Sequence, residues 1–248
     1  GYDFGAMSGG TALQVCEEVL EDLEQKVKNP KLVKLAWLQN QCRWVIWKCA
    51  SLERRFPRRC GGKWFTAENL KLHLHRRFER EIVQGKRPAL KILLNGDMSP
   101  KRYMIICVSR VPKAGEEEDA QQQQGMIRIE VTDGWYAIDA VLDKRLSQRV
   151  RNGSIYEGQK LCIQNMGLSG VERGVDPLEC VSNNPESGVY RPYLTLCENS
   201  CRPASWDARL GYQQSSGFSV PLGSIVDGGG AIGGVEVYIS RLFPAQYM

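Results

Sequence analysis

MIRIEVTDGWYAIDAVLDKRLSQRVRNG, residues 126–153, decides the fold. Ile127, Ile129 and Val131 alternate with Arg128 and Glu130, the period-2 pattern of a half-buried strand. Asp133-Gly134 then signals a hairpin, and WYAIDAVLD continues as the returning strand. LDKRLSQRVRNG follows as a short helix with glycine at its end.

Outward from this unit the strands continue. RYMIICVSRV (102–111) is a strand rich in β-branched residues, and LCIQN (161–165), VYRPYLTLC (189–197) and VEVYISRLF (235–243) follow downstream. KAGEEEDAQQQQG (113–125) is polar and of low complexity, the composition of a mobile loop over about 112–125. Short strands, a helix between the third and fourth, and a long first loop fit an OB-fold β-barrel over 97–248.

Residues 11–96 have a different period. Leu13, Cys16, Leu20, Leu23 and Val27 recur at helical steps. Asn29-Pro30 is a helix start, leading into LVKLAWLQNQCRWVIWKCASLERRF, which stops before Pro57. Cys60-Gly61-Gly62 is a break, and Thr66 caps a helix to about Val83 with Leu70, Leu74, Phe78 and Ile82 inward. Pro88 opens a last short helix, ALKILL, ended by Asn95-Gly96. The expected class is α+β: a helical domain packed on an OB-fold β-barrel. Residues 1–10, GYDFGAMSGG, read as a flexible leader or cloning remnant.

Charge is unevenly spread. Residues 1–94 carry 18 Lys+Arg against 10 Asp+Glu, and 95–248 carry 15 against 18. Cations are densest from Arg43 to Lys91, with 14 basic residues and 4 acidic ones. Such a segment attracts phosphate or an acidic protein. Its strongest clusters are Arg54-Arg55, Arg58-Arg59 and Arg76-Arg77. Trp37, Trp44 and Trp47 lie in the same stretch, as core packing or as an anchor for a partner peptide beside Arg43 and Lys48. Trp135 and Tyr136 fall on opposite sides of a strand, so one belongs to the core and the other is free to stack on a base. Arg102, Tyr103 and Arg128 are candidates for phosphate contact.

No catalytic constellation assembles. His73 and His75, the only histidines, sit two apart on a helix and point to different faces. G-x-S-x-G, P-loop and H-E-x-x-H patterns are missing, and Gly228-Gly229-Gly230 reads as a turn. Nine cysteines from Cys16 to Cys201 read as reduced thiols, and Cys197-x3-Cys201 has too few ligand neighbours for zinc. No apolar run reaches the ~18 residues of a membrane span. The expectation is a soluble, intracellular, non-enzymatic protein without cofactor or metal.

CRWVIWKCASLERRFP, LKLHLHRRFEREI, ICVS, VTDGWYAIDAVLD, GQKLCI and GGGAIGGVEVYISRLFPAQ, in this order, resemble the DNA-binding region of the breast cancer type 2 susceptibility protein family. The resemblance covers about residues 30–248 and matches part of that family's helical domain with its first OB fold. It implies a nuclear homologous-recombination mediator in double-strand break repair. It also implies single-stranded DNA and a very small acidic protein as partners, the latter being deleted in split hand/split foot, a proteasome-lid subunit. A RecA-like recombinase would be bound through regions outside these residues. On this reading the acidic partner meets Arg43, Trp44, Trp47, Lys48, Arg54, Arg55, Arg76, Arg77 and Arg80, and Tyr103, Arg128 and Trp135 make a weak single-stranded DNA contact. The alternative is a generic OB-type single-stranded nucleic-acid-binding module with the helices as scaffold.

Overall fold

The computed structural model describes residues 12–26, 34–112, 125–171, 174–179, 191–215 and 217–244. The leader at 1–10, the Asn29-Pro30 start and most of the 112–125 loop lie outside the described residues.

The helices are α1 (Ala12–Lys26), α2 (Leu35–Arg55), the single turn α3 (Pro57–Cys60), α4 (Ala67–Phe78) and α5 (Ala89–Leu94). Each boundary has a local cause. Pro57 cannot donate into α2 and instead opens α3 at its first position. Gly61 follows with no room for a side chain, since a Cβ there would stand 2.6 Å from the Pro57 carbonyl oxygen. The Thr66 hydroxyl caps α4 by accepting the Asn69 N–H at 3.3 Å. A π-helical turn, Glu79–Val83, extends α4 before Gly85 turns the chain at φ +65°.

β1 (Met104–Arg110), β2 (Arg128–Thr132) and β3 (Ala137–Leu142) form an antiparallel meander. The β2–β3 register pairs Glu130 with Asp139 and Thr132 with Ala137, so Trp135 and Tyr136 lie in the connecting loop. α6 (Lys144–Arg151) is capped by Asp143, whose carboxylate accepts the Leu146 N–H at 2.8 Å. β4 (Lys160–Ile163), β5 (Gly167–Ser169), β6 (Tyr193–Leu196), β7 (Cys201–Pro203) and β8 (Gly211–Tyr212) complete the sheet. Its order is β5-β6-β3-β2-β1-β4-β7, with β8 also on β1 and the β3–β6 pair parallel.

Among the described residues no hydrogen-bonded pair joins the end strands β5 and β7, so the ladder is not closed into the barrel the sequence reading expected, although the class of helical domain plus OB fold stands. β4 and β5 are consecutive in the chain, joined through Gln164, Asn165 and Met166, with Asn165 left-handed at φ 50°.

A second correction concerns VEVYISRLF. Only Val235–Glu236 forms a strand, β10, parallel to β9 (Val220–Pro221). Beyond it Tyr238, Ile239, Leu242 and Phe243 are exposed. Past Glu236 the segment pairs with no described strand, and β-propensity without a ladder partner does not make a strand.

Two apolar cores result. α1, α2 and α4 enclose Val15, Val19, Leu38, Val45, Leu70 and Leu74. The sheet encloses Ile106, Ile129, Tyr136 and Leu194, and α5 packs here through Leu90, Leu93 and Leu94. By packing, α5 goes with the sheet, although in sequence it reads as the last helix of the first unit.

Candidate functional site

The helices and the sheet meet at the β2–β3 loop. Asp133, buried there, accepts the Trp135 and Tyr136 N–H groups at 2.9 Å each and the Leu90 N–H at 2.8 Å. It thus fixes both the hairpin and the start of α5. Burial pushes its carboxyl up, opposed by these three donors and by Arg77. From α2, Asn40 Nδ2 donates to the Trp135 carbonyl at 2.8 Å. From α4, Arg77 donates to Gln41 Oε1 at 2.6 Å and to the Gly134 carbonyl at 2.9 Å. Its guanidinium lies 4.6 Å from the Trp135 ring centre, with Arg80 at 5.8 Å. Burial drags Arg77 down to about 10, with Asp133 and Glu81 pulling the other way.

Glu81 is the hub of this joint. Its buried carboxylate accepts Trp37 Nε1 at 3.0 Å, the Tyr136 hydroxyl at 2.6 Å and Lys91 Nζ at 2.7 Å. One carboxylate therefore ties α2, the hairpin loop and α5 to the π-helical turn. The sequence reading missed it. The available signal was its place one turn beyond Leu74 and Phe78 on an inward face.

The residues expected to meet an acidic partner divide in two. Trp44 is 2% exposed and donates to Asn40 Oδ1 at 3.2 Å; Arg77 is 9% exposed. Both are committed to the interior and cannot offer a surface, because helix periodicity turns them towards the core and the hairpin. Arg43, Lys48, Arg54, Arg55, Arg76 and Arg80 are exposed, and Trp47 is half-buried with its ring edge-on to Trp44. Arg43 pairs with Glu130 of β2 at 3.1 Å. Arg76 and Arg80 rim an open groove of about 860 Å³, whose apolar lining includes Leu23, Phe78 and Val83.

The residues expected to meet DNA do not converge. The Tyr103 hydroxyl lies 3.2 Å from Cys162 Sγ, and its ring meets Phe218 edge-on. Burial, with Cys162 beside it, raises the Tyr103 phenol to about 12. Arg128 pairs with Asp139 at 3.6 Å and lies over the Tyr193 ring. Trp135 is covered by Arg77 and Arg80. The outer face of β2–β3 instead presents Glu130 and Asp139 directly opposite each other. α2 stands over this face, leaving a narrow cleft between Asn40, Arg43 and Asp139.

A further aromatic pair went unread in the sequence. Trp206, in the β7–β8 loop, is 74% exposed, and its ring lies 5.8 Å from that of Phe56 at the α2–α3 joint. No periodicity marks Trp206; only the fold brings it to Phe56.

Among the described residues no group of His, Cys, Asp and Glu is placed to hold a metal, and no helix is long and apolar enough to cross a membrane.

Residues 18–85 match the family model described as BRCA2, helical, and residues 88–214 match BRCA2, oligonucleotide/oligosaccharide-binding, domain 1. The chain is 33% identical over 215 residues to Protein BREAST CANCER SUSCEPTIBILITY 2 homolog A of Arabidopsis thaliana and 32% identical to homolog B. Each alignment takes in 85% of this chain and 18% of the relative. The chain thus spans under a fifth of the length of the curated relatives it matches. The described architecture, helices followed by a curled sheet, has the order of the two matched domains. By these matches, the second of which alone spans just over half its length, the chain belongs to the BRCA2 family and carries that family's helical domain followed by its first OB domain.

Proposed function

We propose that this chain is a non-enzymatic binding module of a homologous-recombination mediator in double-strand break repair, acting in the nucleus. Its local task is to hold a small acidic protein along the helical domain and the adjoining sheet. Family membership supports the repair role. The observation that carries the partner reading is the contrast between two surfaces. Lys48, Arg54, Arg55, Arg76 and Arg80 stand exposed, and among the described residues none of them makes an ion pair. On the β2–β3 face, by contrast, the cations are committed: Arg43 pairs with Glu130 and Arg128 with Asp139. An acidic strap gains charge-assisted hydrogen bonds on the first surface and finds the arginines of the second already engaged. Trp47 and the groove beside Arg76 and Arg80 supply apolar contact for its side chains. Trp44 and Arg77 support this surface from within.

The same face argues against the generic OB reading, in which strands 2 and 3 take the nucleic acid. Glu130 and Asp139 there hold Arg43 and Arg128, the arginines a phosphate would need, and α2 stands above them.

The test is calorimetric titration with a small acidic, tryptophan-bearing polypeptide. Combining Lys48→Glu, Arg76→Glu and Arg80→Glu is expected to weaken binding at least tenfold, and added salt to weaken the parent. Unchanged affinity in that variant removes the proposal.

A further inference from the structure

Five cations occupy residues 54–63: Arg54, Arg55, Arg58, Arg59 and Lys63, with no acidic residue between Glu53 and Glu68. All five are exposed, and among the described residues none makes an ion pair. Elsewhere in the fold arginines are spent internally: Arg43 on Glu130, Arg87 on Asp97, Arg149 on Glu198. Aromatic rings are interleaved with the free cations. Phe56 lies between the two arginine pairs, and Trp64 follows Lys63 with 40% of its surface exposed. The sheet contributes the third ring, Trp206, against Phe56. A tryptophan 74% exposed is costly to leave in water, yet this one is propped against a ring of the other unit rather than buried. Asp207 is the carboxylate of its loop, and it is engaged by the Ser205 hydroxyl.

We infer that this corner, where α3 meets the β7–β8 loop, binds single-stranded nucleic acid, with Trp206 as the base-stacking platform and Arg58 and Arg59 on the phosphates. The chemistry fits a single strand better than an acidic peptide. Guanidinium forks take phosphate oxygens, and an indole left 74% exposed, with the Phe56 ring tilted against it at 52°, is a surface an unpaired base can stack upon. A duplex hides its base faces and offers the platform nothing. The site is separate from the β2–β3 face, where Arg43 and Arg128 are held by Glu130 and Asp139. It adjoins the surface given to the acidic partner at Arg54 and Arg55, while Arg58, Arg59 and Trp206 belong to this corner alone. The inference rests on the oligonucleotide-binding character of the family and locates the strand on this chain.

Fluorescence anisotropy of a labelled oligo-dT of about 20 nucleotides, titrated with the 248-residue chain, tests it. Trp206→Ala is expected to weaken binding about five- to hundredfold, the range for one lost stack. Arg58→Ala with Arg59→Ala is expected to reduce the slope of log affinity against log salt by about 1.4, two single-strand phosphates. These side chains are exposed, so circular dichroism of both variants should match the parent. No binding by the parent, or parent-like binding by both variants, overturns the inference. So does a duplex of equal length that binds as tightly as oligo-dT. Poly-glutamate, titrated in parallel, separates this from the partner reading. Its binding should survive Trp206→Ala; dependence of poly-glutamate but not oligo-dT on Trp206 gives the corner to an acidic peptide and overturns it. Loss of oligo-dT binding with Trp206 sustains the corner even where poly-glutamate binds nowhere.

Discussion

Trp44 and Trp47, three residues apart on one helix, do opposite jobs. The Trp44 ring is enclosed and its N–H satisfied by Asn40, whereas Trp47 keeps a face to solvent. Trp44→Ala is expected to cost about 3–5 kcal/mol in urea unfolding, as a cavity in a close-packed core, and Trp47→Ala far less. Asp133 is a residue of the same consequence. Its carboxylate satisfies three backbone donors from two elements, and burial leaves water no way to replace it. Asp133→Ala is expected to lose about 3 kcal/mol by the same measurement. A stability equal to the parent's would contradict its place at the hairpin and at the start of α5.

At the scale of the element, α4 carries its charge on a helix with little room for more. His73 is half-buried among Lys48, Arg76 and Arg77, and burial followed by those three cations holds its pKa below the ordinary histidine value. The folded chain therefore takes up this proton less readily than the unfolded chain. Stability should fall as pH drops through the ordinary histidine range and level off below the folded value. Thermal melts of His73→Gln from about pH 7.5 to about pH 5 should show a shallower decline than the parent. A steeper one would place His73 beside a carboxylate instead. The loop before α4 has a separate acid-sensitive latch. The Glu53 carboxylate accepts the Phe65 and Trp64 N–H groups at 2.8 and 2.9 Å, and the backbone donors, Phe65 first, hold its pKa below the usual carboxylate range. Its contribution is present at neutral pH and lost as pH falls through that lowered value. Hydrogen exchange at Phe65 should accelerate in Glu53→Gln at pH 7 and differ little from the parent at low pH.

For the whole molecule, the decisive feature is that two cores are joined through polar groups. Glu81 links Trp37, Tyr136 and Lys91, while Arg77 reaches from α4 to the Gly134 carbonyl. A buried carboxylate with three donors couples the stability of both units, because neither can open without leaving it unpaired. The parent is expected to unfold in one calorimetric transition. Glu81→Ala should lose about 3–5 kcal/mol and split that transition into two, helices and sheet melting apart. A single transition in the variant would show that apolar contact alone couples the units.

Much of this was legible in the chain. The alternation of Ile127, Ile129 and Val131, the Asp133-Gly134 turn and the cap at Thr66 act within a few residues, so the sequence declares them. The 3.6 period likewise declared the faces of α2 and α4, and the family resemblance carried the order of the two domains. What separates Trp44 from Trp47, or Arg77 from Arg76, is which flank of a helix the second unit covers, and that depends on contacts between residues far apart in the chain. The meeting of Trp206 with Phe56 has no local signature at all. Local propensity and periodicity fix elements and their faces; the docking of one element on another decides which of those faces remain to meet a ligand, because burial is a property of the assembled surface and not of any stretch of residues.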